Sequence, residues 1–364
     1  METRIVFHID FDYFYAQCEE IRNPKLKTKP VCVCVFSDRG GDSGAIATAN
    51  YTARKFGVKS GIPINFAKKK LVGEKDAVFL PVDFDFYKTM SKNGMAIMEK
   101  NADIFEYVGK DEAYLDVTNK VKGDWSKAKN LAIEIKKEIK DKLNLTCSIG
   151  ISPNKLISKI SSDFQKPDGL TMVLPEQIDE FIESLKIEDI PGIGKKTVER
   201  LSQMNCKTIK ELKGLDVFTL NKEFGRKAGT HIFNSIRGIN NEPVKKRESN
   251  LQISKIMTLT KDSLDFEFLL QNFKQLCVEV HKIVVNQKKM FKSVGIQLIQ
   301  SDLSNKTKSK MLKNPSLNLD ELQKNVEQLL KDALREQKIS IRRVGVKVSE
   351  FSDIQDQSNI TSYF

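Results

Sequence analysis

Asp10 and Asp12 close a short apolar run, residues 4–10, while Asp111 and Glu112 stand side by side in Gly-Lys-Asp-Glu-Ala-Tyr-Leu-Asp, residues 109–116. Carboxylates drawn into apolar surroundings are costly unless paired or metal-bound. Three of them meeting would repel one another without cations, and hard carboxylate oxygens favour magnesium. Two such ions can activate a hydroxyl and stabilise the leaving pyrophosphate of an in-line phosphoryl transfer. The plain alternative is that acids in turns are solvated punctuation. What favours chemistry is that each acid here is embedded in strand-forming apolar neighbours. Asp12 and Asp116 rank below Asp10, Asp111 and Glu112, and Asp116 reads as structural.

Such acids must be delivered by separate strands that end together. Residues 4–10 read as a buried strand, 104–108 and 113–117 flank the acidic turn as a hairpin, and 147–151 form another strand. Apolar residues at helical spacing over 85–101 and 127–143 supply cover, giving an antiparallel sheet backed by helices, an α+β layer arrangement. Between these pieces, residues 14–80 look like an insertion with a short helix at 14–21, a strand at 31–36, a Gly-rich turn, and helices through Ala53 and Phe66. Residues 173–238 are helical and short-turned. Residues 239–250, with Lys245, Lys246 and Arg247, form a linker. From 251 the order is strand, helix (263–288), strand (294–299), strand (306–312), helix (319–337) and strand (341–348). That βαββαβ order makes a small separate domain, 251–349. Residues 350–364 lack Lys and Arg and read as disordered until bound.

At 364 residues the chain exceeds one ordinary core. With 40% hydrophobic and 30% charged residues, and no run near the about 20 apolar residues of a membrane span, it reads as soluble, cytoplasmic and free of membrane contact. The N-terminus runs directly into a strand, so secretion is disfavoured. Six scattered cysteines without a CxxC pair read as reduced thiols, and three histidines show no metal-site spacing. The net charge of +12 fits a polyanionic partner, although a solvated lysine-rich face would give the same number.

Asp10-Phe11-Asp12-Tyr13-Phe14-Tyr15-Ala16, residues 47–57 (Ala-Thr-Ala-Asn-Tyr-Thr-Ala-Arg-Lys-Phe-Gly) and residues 111–116 together resemble the Y-family DNA polymerases of the archaeal DinB branch. The resemblance continues through residues 148–155, 166–169 and 191–194, covering essentially the chain to Val348. It implies a multidomain right-hand polymerase: palm (1–13 and 81–172), fingers (14–80), thumb (173–238) and little finger (251–349). The implied activity is template-directed addition of deoxynucleoside triphosphates to primer-template DNA, with bypass of damaged templates, low fidelity and low processivity. The chain would act as a monomer associated with the nucleoid.

The same resemblance assigns Asp10, Asp111, Glu112 and the backbone carbonyl of Phe11 to two Mg2+ ions, Asp10 and Asp111 bridging them. Tyr15 becomes the steric gate that rejects a 2′-hydroxyl. Thr48, Tyr51 and Arg54, at i, i+3 and i+6 on a helix or helical turn, become donors to the triphosphate together with Lys166. Ala45, Ala47 and Gly61 form a small roof over the nascent pair. Gly109-Lys110 departs from the family's Ser and aliphatic residue before the acids, which puts the fine geometry there in question.

Residues 190–196, Ile-Pro-Gly-Ile-Gly-Lys-Lys, read as a helix-hairpin-helix turn in which Gly192 and Gly194 let backbone N–H groups approach a phosphate, with Lys195 and Lys196 following. A plain αα turn is the alternative. Residues 224–229 offer a degenerate second copy. Arg342 and Arg343 suit phosphate tracking in the last domain. Gln357, Ile360, Tyr363 and Phe364 form the Q-x-x-I-x-x-Y-F pattern of a sliding-clamp peptide. A nucleotide cyclase, with a similar sheet and paired acids, is the competing enzyme class. A non-catalytic clamp- and DNA-binding scaffold is the other reading, and it would need a broken acid set.

Overall fold

The computed structural model of the protein describes residues 4–246, 251–335 and 337–353. The chain forms two compact units, residues 4–35 with 45–246, and residues 36–44 with 251–353.

In the first unit, a five-stranded sheet is ordered Ile104–Tyr107, Glu112–Asp116, Val6–Phe11, Cys147–Ser152, Leu170–Met172. The central strand, Val-Phe-His-Ile-Asp-Phe, is buried along nearly its whole length. Its alternation sends Phe7, Ile9 and Phe11 into a core with Met95, Met98, Ala128, Ala132 and Ile135 of the helices Phe84–Lys100 and Trp125–Leu143. Those helices start where Asp83 and Asp124 accept hydrogen bonds from backbone N–H groups of their first turns. The opposite parity, His8, Asp10 and Asp12, lies on the other face.

Two elements here were not anticipated, the helix Lys155–Phe164 and the strand Leu170–Met172. Asn154 caps the helix by accepting from Ile157 N. The helix presses directly on the sheet at Gly150, where an added Cβ would stand 1.9 Å from the Ser158 carbonyl oxygen. Only glycine permits that approach.

Residues 14–80 also differ from the insertion expected there, in which residues 31–36 were the one strand. Besides the helix Phe14–Arg22 and strand Val31–Phe36 the segment contains strands Gly44–Ala49 and Val78–Pro81, giving a three-stranded sheet with Val31–Phe36 in the centre. Cys32 and Cys34 pack to one side of that strand with Ile46, Ala53 and Ile64, and Val31 and Val33 pack to the other. Like the other four cysteines, they are buried and free. Residues 36–44 group with the second unit, where the Arg39 guanidinium donates to the Leu259 carbonyl at 2.7 Å and pairs with Asp262.

Short helices follow, Ile178–Glu183, Lys195–Gln203, Ile209–Lys213, Val217–Phe224 and Arg226–Ser235, around Ile182, Leu201, Leu212, Leu220 and Ile232. Residues 239–246 have no helix or strand, yet Val244 is buried against Val6 and Tyr114, and Lys245 N donates to Glu106.

The second unit is a four-stranded antiparallel sheet ordered Asn305–Ser316, Lys289–Gln300, Ile341–Asp353, Gln252–Ser263, carrying helices Phe266–Asn286 and Leu319–Leu334. The last strand continues to Asp353, paired with Lys289, so residues 350–353 of the segment expected to be disordered are strand. Gln357, Ile360, Tyr363 and Phe364 lie outside the described residues. Among the described residues no helix is long and apolar enough to cross a membrane.

Gly150→Ala is expected to destabilise the first unit by about 3 kcal/mol, because the helix must lift off the sheet. Gly73→Ala, where nothing lies within 4 Å, serves as control in the same urea titration.

Candidate active site

Strand register brings the acids together. Asp10 is the Cα partner of Glu112 on one side and of Ser148 on the other, and Phe11 N donates to the Asp111 carbonyl at 2.8 Å. Asp10, Asp111 and Glu112 therefore share one end of the sheet. Asp12 is fully buried and committed elsewhere, accepting from Ser148 Oγ at 2.8 Å and Asp168 N at 2.9 Å. Asp116 accepts from Thr118 N and Oγ1. Both read as structural.

Among the described residues no group of three acidic, histidine or cysteine side chains is already drawn together around a metal position. Ammonium groups balance the acids instead. Lys166 Nζ lies 2.6 Å from Asp10 Oδ1 and 2.8 Å from Asp163, while Lys159 Nζ lies 2.5 Å from Glu112 Oε2. Burial pushes Asp10 up to about 7 against the pull of Lys166, and burial also raises Asp111. Glu112 is held down at about 2, first by its hydrogen bond with His8 and then by Lys159. The donor set, buried hard oxygens whose ionisation is opposed by desolvation, fits a divalent cation that would displace the lysines.

His8, Lys159 and Asp163 escaped the sequence reading. His8 is fully buried, 3.1 Å from Glu112 Oε2 through Nε2 and 2.7 Å from Ser162 Oγ through Nδ1. Burial keeps its ring neutral. The single Ser162 hydroxyl proton is shared between Nδ1 and the Lys159 carbonyl, 2.8 Å away, and with the hydrogen on Nε2 the ring donates to Glu112. Its signal in the sequence was parity, two residues before Asp10 on the same strand face. Lys159 and Asp163 belong to the helix that the sequence reading missed.

Tyr15 stacks on Tyr87 with centroids 4.5 Å apart and meets Phe84 edge-on at 6.2 Å. Burial raises its hydroxyl, and the nearby Asp111 charge adds to the effect. Lys110 holds its ammonium 4.4 Å from the centre of the Phe84 ring.

Thr48, Tyr51 and Arg54 do not share a helix as expected: Thr48 lies on the strand Gly44–Ala49, and Tyr51 and Arg54 lie on the single turn Tyr51–Arg54. Asn50 joins the two, its side chain accepting from Ala53 N and Val31 N and donating to Glu20. Arg54 stands over the Tyr51 ring at 4.8 Å and donates through Nε to the Ala49 carbonyl. The Tyr51 hydroxyl is buried without a hydrogen-bond partner, which is expensive unless a ligand supplies one. Gly61 N donates to the Ile46 carbonyl at 2.8 Å, and Ile46 N donates to the Ile62 carbonyl at 2.9 Å.

In the helical segment, Gly192 has φ +87°, and an added Cβ there would stand 2.6 Å from His231 Nε2. Gly194 is the N-cap of Lys195–Gln203 and contributes no capping side chain. Lys195 and Lys196 open that helix. Gly225, φ +81°, is the N-cap of Arg226–Ser235. In the second unit, Arg342 lies where the pairing register shifts, and Arg343, in one row with Ile299 and Thr258, has its Nε buried without a partner.

Known proteins match this chain along nearly its whole length. Residues 9–163 match the impB/mucB/samB family, residues 188–240 the thumb domain of DNA polymerase-iota, and residues 251–361 the impB/mucB/samB family C-terminal domain. The chain is 69% identical over 364 residues to DNA polymerase IV of Nitrosopumilus maritimus, covering 100% of both chains, and 40% identical over 369 residues to DNA polymerase IV of Methanosarcina acetivorans, again over 100% of both. Among solved structures, a Y-family DNA polymerase chimera, Dbh-Dpo4(243-245)-Dbh, superposes with a TM-score of 0.90 at 35% identity, over 96% of this chain and 100% of that one. The insertion ternary complex of Dbh DNA polymerase gives 0.69 at 34% identity, with the same coverage. The chain belongs to the impB/mucB/samB family, the Y-family of DNA polymerases, and is a DNA-directed DNA polymerase of the translesion type.

Asp10 keeps its proton to about pH 7 in the fold but would lose it near its ordinary 3.8 when unfolded, so stability falls as pH rises through that window. A divalent ion that binds the ionised acids offsets the loss. Mg2+ is therefore expected to raise the melting temperature more at pH 8 than at pH 5.5, and equal shifts would count against these acids as the ion's site.

Proposed function

We propose that Asp10, Asp111, Glu112 and the Phe11 carbonyl would hold two Mg2+ ions, and that the site adds a deoxynucleotide from an incoming deoxynucleoside triphosphate to a primer 3′ end on primer-template DNA. The observation that carries this reading is the register: Asp10 opposite Glu112, with the Asp111 carbonyl bound to Phe11 N, so that the donors share one strand end. When bound, the ions would supply activation of the hydroxyl and stabilisation of the leaving pyrophosphate. The chain's own residues do the rest. Lys166, released from Asp10, Arg54, Thr48 and the unpartnered Tyr51 hydroxyl bind triphosphate oxygens. Tyr15, braced by Tyr87 and Phe84, fills the space a 2′-hydroxyl would need. His8 holds Glu112 in orientation from beneath.

The helix N-terminus at Gly194 with Lys195 and Lys196, together with Gly192, grips the duplex backbone, and Arg342 and Arg343 track phosphates without reading bases. Small residues above the pair, Ala45, Ala47 and Gly61, are the basis for tolerance of damaged templates at low fidelity. Residues 1–13 and 81–172 act as palm, 14–80 as fingers, 173–238 as thumb and 251–349 as little finger, joined by the linker 239–250. Gln357, Ile360, Tyr363 and Phe364 tether this monomeric, cytoplasmic enzyme to a sliding clamp and supply processivity through effective concentration.

Replacing both Asp111 and Glu112 by Ala is expected to lower Mg2+-dependent primer extension by about 10³-fold or more, on undamaged and abasic templates alike. Extension at the wild-type rate would refute the metal assignment. Deleting residues 357–364 should leave clamp-free extension unchanged while removing its stimulation by the clamp in a processivity assay. Stimulation that survives the deletion would rule out this peptide as the tether.

A further inference from the structure

Residues 43–73 carry Arg54, Lys55, Lys59, Lys68, Lys69 and Lys70 and not one acid, in a chain with 48 acids. The fold gathers much of this charge around two exposed aromatic rings. In the helix Ile64–Lys70, Ile64 and Ala67 are buried, so Phe66, Lys69 and Lys70, at i, i+3 and i+4, share an outward face. Phe66 is 55% exposed, and Lys69 Nζ stands 5.6 Å from its ring centre. Lys70 reaches across to the turn after Tyr51–Arg54, its Nζ 3.1 Å from where a Cβ on Gly57 would lie. Beside Gly57 are Phe56, 39% exposed, and Lys55, also exposed. The result is one continuous surface of Phe66, Lys69, Lys70, Phe56 and Lys55.

A large ring in water with ammonium groups about it has no role in the core. From this surface we infer a platform for single-stranded nucleic acid, specifically the unpaired template ahead of the primer: the lysines take phosphates and Phe66 stacks an unpaired base. Duplex bases are already stacked and offer the ring nothing. Lys55 and Phe56 directly follow Arg54, which puts this surface beside the proposed nucleotide site, and the unpaired strand of a primer-template there is the template overhang. This step rests on the reading that Arg54 faces the incoming triphosphate. The platform holds the template straight at the point where it enters the site, a demand that a small roof over the pair does not meet.

The test compares binding of the full chain to labelled primer-template ending blunt or carrying a 5′ template overhang of about 10 nucleotides, within the site sizes of single-strand binders. Wild type should bind the overhang substrate more tightly. Phe66→Ala should weaken that binding by about 5- to 50-fold, with Lys69→Gln adding to the loss, and leave the blunt substrate unchanged. Phe66→Trp should restore affinity, and its added fluorescence should be quenched by the overhang. Loss of nothing in Phe66→Ala, or an equal loss on blunt duplex, would overturn the proposal, the latter by showing unselective charge attraction. A wild-type chain that extends no primer would instead remove the triphosphate reading beneath it.

Discussion

A carboxylate at the end of a strand packed on both faces loses most of its hydration, and Asp10 shows the consequence by holding its proton to about pH 7 even with an ammonium 2.6 Å away. Counter-charge has to come from the protein or from an ion. Lys166, Lys159 and the helix that carries Lys159 and Asp163 are arranged around that need, and Gly150 exists so that the helix can come close enough.

The lysines are well suited to a temporary role. Each sits at an acid that the proposed chemistry would hand to a divalent ion, and each then becomes a free cation beside a polyanionic substrate. His8 differs because it is neutral, fully buried and fixed by Ser162, so it can orient Glu112 without competing for its charge. Phe11 carries a related constraint. Gly94 leaves room for its ring, since a Cβ there would stand 2.3 Å from Phe11 Cζ, and the strand end that presents the Phe11 carbonyl is thereby set from below.

On the nucleotide side the same economy appears in Asn50. One side chain caps the turn of Tyr51–Arg54, ties it to the strand Val31–Phe36 and binds Glu20. This fixes Arg54 and Tyr51 relative to the acids while leaving the Tyr51 hydroxyl buried and unpaired. A polar atom kept in that condition is stored affinity for a ligand oxygen.

The sequence by itself determined the order of the elements that follow a strict period: the strand at Val6–Phe11, the hairpin around Asp111, the helices Phe84–Lys100 and Trp125–Leu143, and the βαββαβ order after residue 251. Periodicity is local, so it survives without tertiary knowledge. It also identified Asp10, Asp111, Glu112, Tyr15 and Lys166, because motif order preserves them. Tertiary structure alone decided the rest. The strands Val78–Pro81 and Leu170–Met172 are short, and Gly44–Ala49 is mostly alanine and glycine with weak strand preference, so all three exist through their neighbours. Which charge sits on which acid is equally non-local: Lys166 meets Asp10 across 156 residues and Lys159 meets Glu112 across 47. The carboxylates were legible as chemistry, but their partners were set by strand register and one close helix contact, which no local pattern encodes.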